Sequence, residues 1–373
     1  MGATPNQLHP LPSIIYWVMN TALIVVLFNA CGKDKQSSAV DVINAQKNAA
    51  SKINFAEVTS EAGLGNFRHD NGSFGEMWFP EQMGSGVGFI DYNDDGWVDI
   101  LLVGGGGWAN HTKRKVKALW LYKNNKDGTF SDVTEETGLE HINTYGLGIV
   151  AADYDNDGYQ DIFLTSLGKN ILLRNHDGIF KDVSQPSGLG NRIEWSSSAI
   201  FFDADKDGWL DLYVGNYAIW SPAGDLWCSL NSKTKVYCPP EMYVGLPSRF
   251  YHNNGDGTFS DHTQIAGFLP APGKSLGVVQ LDYNNDGWPD LAVANDGERD
   301  LLYQNNGDGT FTEVGAESGL ADPVQAWSSA WADFDNDGFM DVFVGANALT
   351  DGSHKLMRNN GDGTFTDITL GSG

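Results

Sequence analysis

One acidic pattern recurs five times along the chain and constrains it more than any other feature. It reads D-x-[DN]-x-D-G-x-x-D at 91–99, 153–161, 203–211, 282–290 and 333–341. In the second copy, DYDNDGYQD, four carboxylates fall within nine residues. Such a loop is costly through self-repulsion unless a cation sits among the charges. Short β-type runs flank each copy, as at 148–152 before the second and 162–165 after it. A second motif follows every loop: NNKDGTFSDVT from Asn124, NHDGIFKDVS from Asn175, NNGDGTFSDHT from Asn253, NNGDGTFTEVG from Asn305 and NNGDGTFTDIT from Asn359.

Asx-rich stretches ending in Asp-Gly between β-rich segments mark hairpins, and they read here as plain turns. One repeat is then four strands, placed in the second copy at 147–152, 161–165, 171–174 and 180–184. Acidic loop, open connection and tight hairpin join them in turn. A meander of about fifty residues that repeats is the signature of a β-propeller blade, so the chain is expected to be all-β with five visible blades. The first strand of each unit is rich in small residues, as in WSSSA from Trp195 and WSSA from Trp327. That strand is expected nearest the crowded ring axis.

Positions 1, 3, 5, 7 and 9 of each loop offer the hard oxygens calcium prefers, and the glycine at position 6 permits the sharp turn. The expected ligands are Asp91, Asn93, Asp95, Trp97 and Asp99 in the first loop, and Asp153, Asp155, Asp157, Tyr159 and Asp161 in the second. The third offers Asp203, Asp205, Asp207, Trp209 and Asp211, and the fourth Asp282, Asn284, Asp286, Trp288 and Asp290. The fifth offers Asp333, Asp335, Asp337, Phe339 and Asp341. Position 7 would bind through its carbonyl, leaving its aromatic ring to pack between blades. Lys206 stands at position 4, which points outward. An EF-hand would need a bidentate Glu at position 12 and helices on both sides. Position 12 is Leu102, Leu164, Val214, Val293 or Val344 within β-like runs, so that reading fails. About five calcium ions are expected.

Lys+Arg total 23 against Asp+Glu 48, a formal charge of -25, which argues against a nucleic-acid partner. The first 31 residues differ from the rest. The apolar run at 14–28 has signal-peptide length and is short for a membrane span. It ends at a lipobox-like Ala30-Cys31, so export is expected, with Cys31 lipidated at the cell surface or outer membrane; an uncleaved anchor is the alternative. No Lys or Arg precedes the run, a departure from the usual pattern. Residues 32–52 read as a flexible tether. Cys228 and Cys238 lack histidines at zinc spacing, so in an exported chain they are expected to form a disulfide, with free buried thiols as the alternative.

The loops and hairpins together resemble FG-GAP/VCBS repeats, the calcium-bearing propeller blades also found in integrin α-subunits. The stretches MGSGVGFIDYNDDGWVDILLVGG, LYKNNKDGTFSDVTEETGL and VYCPPEMYVGLPSRFYHNNGDGTFSDHT further resemble the cartilage-acidic-protein-like group. The resemblance spans 53–369. It implies extracellular calcium binding and adhesion or matrix-type interactions with a protein or glycan, without naming the ligand.

Two functions compete. A binding module would recognise its partner through loops on the rigid faces. The insertion at 217–243, with Trp220, Trp227 and Tyr237 beside the cysteine pair, could stack on a sugar or peptide, or simply pack on itself. The basic stretch at 104–117 reads as a solvated loop, with contact to an anionic polymer as the alternative. A propeller enzyme (hydrolase, lyase or quinone dehydrogenase) is the alternative, with calcium structural. The sequence shows no G-x-S-x-G, no metal-binding His pair and no nucleophile–base constellation, so no catalytic residue is assigned. Finally, 55–59 matches the outer strand of the other units. That sixth copy, without the three strands that should precede it, suggests an incomplete ring of a seven-bladed type.

Overall fold

The computed structural model describes residues 55–108, 116–268, 273–320, 326–346 and 354–371. The signal segment, Cys31 and the tether up to residue 52 lie outside them. The chain divides after Glu57, and the unit Val58–Gly373 holds every regular element of the described residues.

Five antiparallel four-stranded meanders follow one another. The first contains β1 (Val87–Ile90), β2 (Asp99–Val103), β3 (Leu119–Asn124) and β4 (Phe130–Asp132). The second contains β5 (Gly146–Ala152), β6 (Asp161–Gly168), β7 (Ile171–His176) and β8 (Ile179–Asp182). The third has β9 (Glu194–Phe202) and β10 (Asp211–Asn216), then the small ribbon β11 (Cys228–Ser229) and β12 (Lys235–Val236), then β13 (Arg249–Asn253) and β14 (Phe259–Asp261). The fourth has β15 (Ser275–Leu281), β16 (Asp290–Asn295), β17 (Leu301–Asn305) and β18 (Phe311–Glu313). The fifth has β19 (Ala326–Ala332), β20 (Asp341–Ala346), β21 (Lys355–Asn359) and β22 (Phe365–Asp367). These are propeller blades, and the strands of the second differ from the expected ones by a residue or two, except β6. β6 runs on to Gly168 because Leu167 and Gly168 pair with Trp195 and Glu194 of β9, joining blades two and three into one sheet.

The first strands are innermost. Gly86 donates its N–H to Leu147 O at 2.5 Å, and Ser197 Oγ donates to Ser275 O at 2.5 Å. A Cβ on Gly148 would stand 2.4 Å from Ser197 O, so the close approach of β5 and β9 requires glycine there. Apolar residues of consecutive blades fill the spaces between sheets. Leu101, Leu119 and Leu121 meet Ile162, Leu164 and Leu173; Phe163 and Leu172 meet Phe201 and Leu212; and the third and fourth, then the fourth and fifth, blades meet in the same way. The strands β10 and β16 are buried at every residue, which is why they read as continuous apolar runs instead of alternating ones.

The expected sixth outer strand at 55–59 is not a strand, because no third strand among the described residues offers it a ladder. Phe55 is 95% exposed. The residues after it reproduce the turn that ends the other blades: Ala62 N–H bonds Val58 O, and Leu64 N–H bonds Thr59 O. Phe130 N–H then bonds Ala62 O at 2.8 Å, as Phe180 N–H bonds Thr137 O and Phe259 N–H bonds Ser187 O.

Candidate metal centres

Each acidic loop runs from the end of an innermost strand to the start of the next. The first Asp organises it. Asp153 accepts from the N–H of Asp157 at 3.1 Å and of Gly158 at 2.9 Å, and Asp91, Asp203, Asp282 and Asp333 accept in the same way from positions 5 and 6 of their loops. The glycine at position 6 has φ near +90° (Gly158, φ 95), but position 4 is also left-handed: Asp94, Asn156, Lys206, Asn285 and Asn336 all have φ between 52 and 61. Asn and Asp adopt that region most readily, whereas Lys206 is strained there. Lys206 does point away from the loop, as expected, and its Nζ lies 4.0 Å over the Trp288 ring of the next blade.

The ninth carboxylates, Asp99, Asp161, Asp211, Asp290 and Asp341, are buried. Burial pushes Asp161 up to about 8, despite backbone N–H groups from Asn175 and Tyr154 that favour the carboxylate. Asp290 is pushed up to about 7 for the same reason. Burial also raises Asp211, to about 6, where His252 opposes it.

Asp153, Asp155 and Asp161 bring carboxylate oxygens within 4.8 Å of one another, and so do Asp333, Asp335 and Asp341. In the third loop the converging set is Asp205, Asp207 and His252. His252 Nδ1 lies 3.0 Å from Asp211 Oδ1, a nitrogen in an otherwise all-oxygen site that the loop spacing did not reveal. The protein supplies its own cations as well. Arg174 reaches Asp155 Oδ2 at 2.6 Å and Asp157 Oδ2 at 2.9 Å, and Arg358 likewise reaches Asp335 and Asp337. Two loop oxygens nevertheless stay buried without any hydrogen-bond partner, Asn93 Oδ1 and Asp155 Oδ1, both at position 3. A buried oxygen left this way is costly unless a cation or water meets it. The donor set and these orphaned oxygens fit calcium.

Two expectations about the surroundings need correction. At position 7 the rings of Trp209, Trp288 and Phe339 lie against their own blade's outer hairpin, and Trp288 also meets Lys206 of the preceding blade. A Cβ on Gly255, Gly307 or Gly361 would stand about 3 Å from Trp209, Trp288 or Phe339 respectively. The outer hairpins, in turn, are not plain turns. Asn175, Asn253, Asn305 and Asn359 are buried, and each bridges two blades. The backbone N–H of Asn253 donates to Asp211 Oδ1 at 2.8 Å. Its Nδ2 donates to Leu210 O at 3.0 Å and to Tyr154 O of the preceding blade at 2.9 Å.

The opposite end of the blades carries an aromatic cap. Phe79, Tyr145, Trp195, Tyr217 and Tyr243 are buried in it, with Trp108 and Trp220 packed alongside. The insertion at 217–243 therefore packs on the protein, stapled by the Cys228–Cys238 disulfide. Trp220 Nε1 donates to Asp225 and Tyr237 OH to Glu81, so these two rings are engaged, while Trp227 is 67% exposed. A groove of about 270 Å³ beside Trp220 is lined by Trp108, Ile193, Glu194, Trp195 and Ile219. Residues 109–115 of the basic stretch lie outside the described residues.

Residues 91–164, 153–214, 244–293 and 282–344 match the model of the FG-GAP-like repeat, together more than half of the chain. Cartilage acidic protein 1 of Homo sapiens and that of Mus musculus are each 27% identical over 149 residues, 38% of this chain and 22% of theirs. The chain thus matches about a fifth of the length of these curated relatives. Among solved structures, it is similar to an Agrocybe aegerita lectin described in terms of specific recognition of non-reducing terminal N-acetylglucosamine. That match has TM-score 0.43 and 20% identity, covering 74% of this chain and 64% of the lectin. It is also similar to the V. cholerae biofilm matrix protein Bap1, with TM-score 0.39 and 19% identity, covering 76% of this chain and 39% of Bap1.

Proposed function

The chain belongs to the FG-GAP-like repeat family, and on that premise we propose that it is an exported, calcium-stabilised binding module rather than an enzyme. Each of the five loops would hold one calcium ion through positions 1, 3, 5, 7 and 9, from Asp91–Asp99 in the first to Asp333–Asp341 in the fifth. The buried, unpartnered oxygens of Asn93 and Asp155 carry this reading. Calcium, when bound, would bring positive charge to the buried ninth carboxylates.

Extracellular calcium sites bind at roughly 0.1–1 mM. At about 1 mM ion, a site at the tight end contributes about 1.4 kcal/mol by mass action. Five such sites contribute about 7 kcal/mol, comparable to a whole domain's stability of about 5–15 kcal/mol. Excess chelator is therefore expected to lower the melting temperature markedly. An unchanged melt would sink the calcium reading.

The partner, in this proposal, is an extracellular protein or glycan met by the cap face, where the groove and exposed Trp227 offer apolar and aromatic surface. Glycan and protein arrays probed with and without calcium test this, the expected result being calcium-dependent signals that weaken in Trp227→Ala. Cell-surface attachment through Cys31 is tested in the native host. Cys31→Ala is expected to move the protein from the membrane fraction to the soluble one, and equal membrane association would contradict the lipid anchor.

A further inference from the structure

A hydrogen-bond relay connects the ninth carboxylate of each acidic loop to that of the next. Between the second and third loops it runs as follows. Asp211 Oδ1 accepts from Asn253 N–H at 2.8 Å, and Asn253 Nδ2 donates to Tyr154 O at 2.9 Å. Tyr154 N–H in turn donates to Asp161 Oδ2 at 3.3 Å. The same path leads from Asp161 through Asn175 and Tyr92 to Asp99. It leads from Asp290 through Asn305 and Ala204 to Asp211, and from Asp341 through Asn359 and Tyr283 to Asp290. A second, more exposed set of bonds runs beside it. Gln160 Oε1 accepts from Asp91 N–H at 2.8 Å, Asn156 Nδ2 donates to Gly208 O at 3.0 Å, and Asn285 Nδ2 donates to Gly338 O at 2.9 Å.

We propose that these hairpin asparagines are positioning residues that couple the loops, so that the five calcium sites fill cooperatively around the ring. The inference rests on the calcium reading above. Each asparagine holds a ligand residue of its own loop on one side and the backbone of the preceding loop on the other. Both bonds join two loops that each hold the closed shape. Ordering one loop then lowers the conformational entropy its neighbour has still to lose, the nearest-neighbour coupling expected of a repeat array.

The test is a calcium titration of the full chain, read by isothermal calorimetry and by fluorine NMR of protein labelled with fluorotryptophan, which gives each of the twelve tryptophans its own resonance. Trp97 and Trp209 stand at position 7 of loops one and three and report locally, whereas loop two carries Tyr159. The wild type is expected to bind with a Hill coefficient above 1. Asp155→Ala disables loop two without touching a relay bond, and it is expected to weaken the calcium midpoints at Trp97 and Trp209 by about 5- to 150-fold. Asn253→Ala is expected to split the titration into separate transitions. Asn285→Gly removes the exposed bond between loops four and five while glycine still accommodates the left-handed backbone (φ 57), and it is expected to lower the Hill coefficient should Asn253→Ala fail to fold. A non-cooperative isotherm with unchanged Trp97 and Trp209 midpoints in Asp155→Ala would overturn the coupling alone. No calcium uptake by the wild type would overturn both the coupling and the reading beneath it.

Discussion

At the scale of single residues, Asn253 shows how much one side chain can settle. It satisfies Tyr154 O and Leu210 O, and its Oδ1 accepts the N–H of Gly255 at 3.0 Å. Removing it strands these groups in the interior, and a buried unpaired group costs about 1–3 kcal/mol. Asn253→Ala is thus expected to lose at least that much stability in urea denaturation at saturating calcium, and a loss well under 1 kcal/mol would contradict the bridging role. The acidic loops were legible because each is complete within nine residues and serves one local geometry. The asparagine was equally visible, present in all five copies, yet it read as turn chemistry. Its decisive partner lies 99 positions away in another blade, and no local pattern announces that. His252 escaped notice for the same reason, since it enters the third loop from β13.

At the scale of elements, the repeated period made the blades legible, and the run of small residues placed the first strand at the axis. The cap was not legible, because Phe79, Trp108 and Tyr243 come from three distant segments. Two glycines make the inner-strand argument testable. A Cβ on Gly148 would collide with Ser197 O of the adjacent strand, while one on Gly277 meets nothing within 4 Å. Gly148→Ala is expected to destabilise the protein by several degrees in a thermal melt and Gly277→Ala to leave it unchanged; equal effects would refute the close-packed axis. The disulfide belongs to this scale as well. Closing so short a loop is worth about 3 kcal/mol in the chain-entropy model. That contribution is local to the cap. Replacing Cys228 and Cys238 by serine is expected to speed hydrogen exchange across 217–243 while leaving the blade strands protected.

At the scale of the whole molecule, the buried ninth carboxylates of the second and fourth loops tie stability to pH. Asp161 is pushed up to about 8 and Asp290 to about 7, well above an unfolded Asp near 4. In that interval the folded state without calcium holds protons the unfolded chain has released. Its stability is therefore greatest below about pH 4 as far as these groups are concerned, and it falls as pH rises toward 8. Under the proposed calcium reading, the ion would compete with those protons, so its benefit would grow with pH. Melts recorded in chelator from pH 5 to 8 are expected to fall, and the gain on adding calcium to widen, across the same range. A calcium gain that is flat with pH would show that the ninth carboxylates do not exchange protons for the ion.

The ladder between β6 and β9 has a mechanical consequence. Where Leu167 and Gly168 pair with Trp195 and Glu194, the second and third blades share strands as well as packed side chains. Pulled from its ends, a ring of separate sheets would lengthen one blade at a time, each adding about 15 nm for some forty residues at about 3.5 Å apiece. Residues 146–261 are laced together, so they are expected to yield in a single step of about 40 nm. A force–extension trace would display that long step, more than twice the length of the others, and the laced pair would be the part of the molecule that holds longest when its surroundings flow past it.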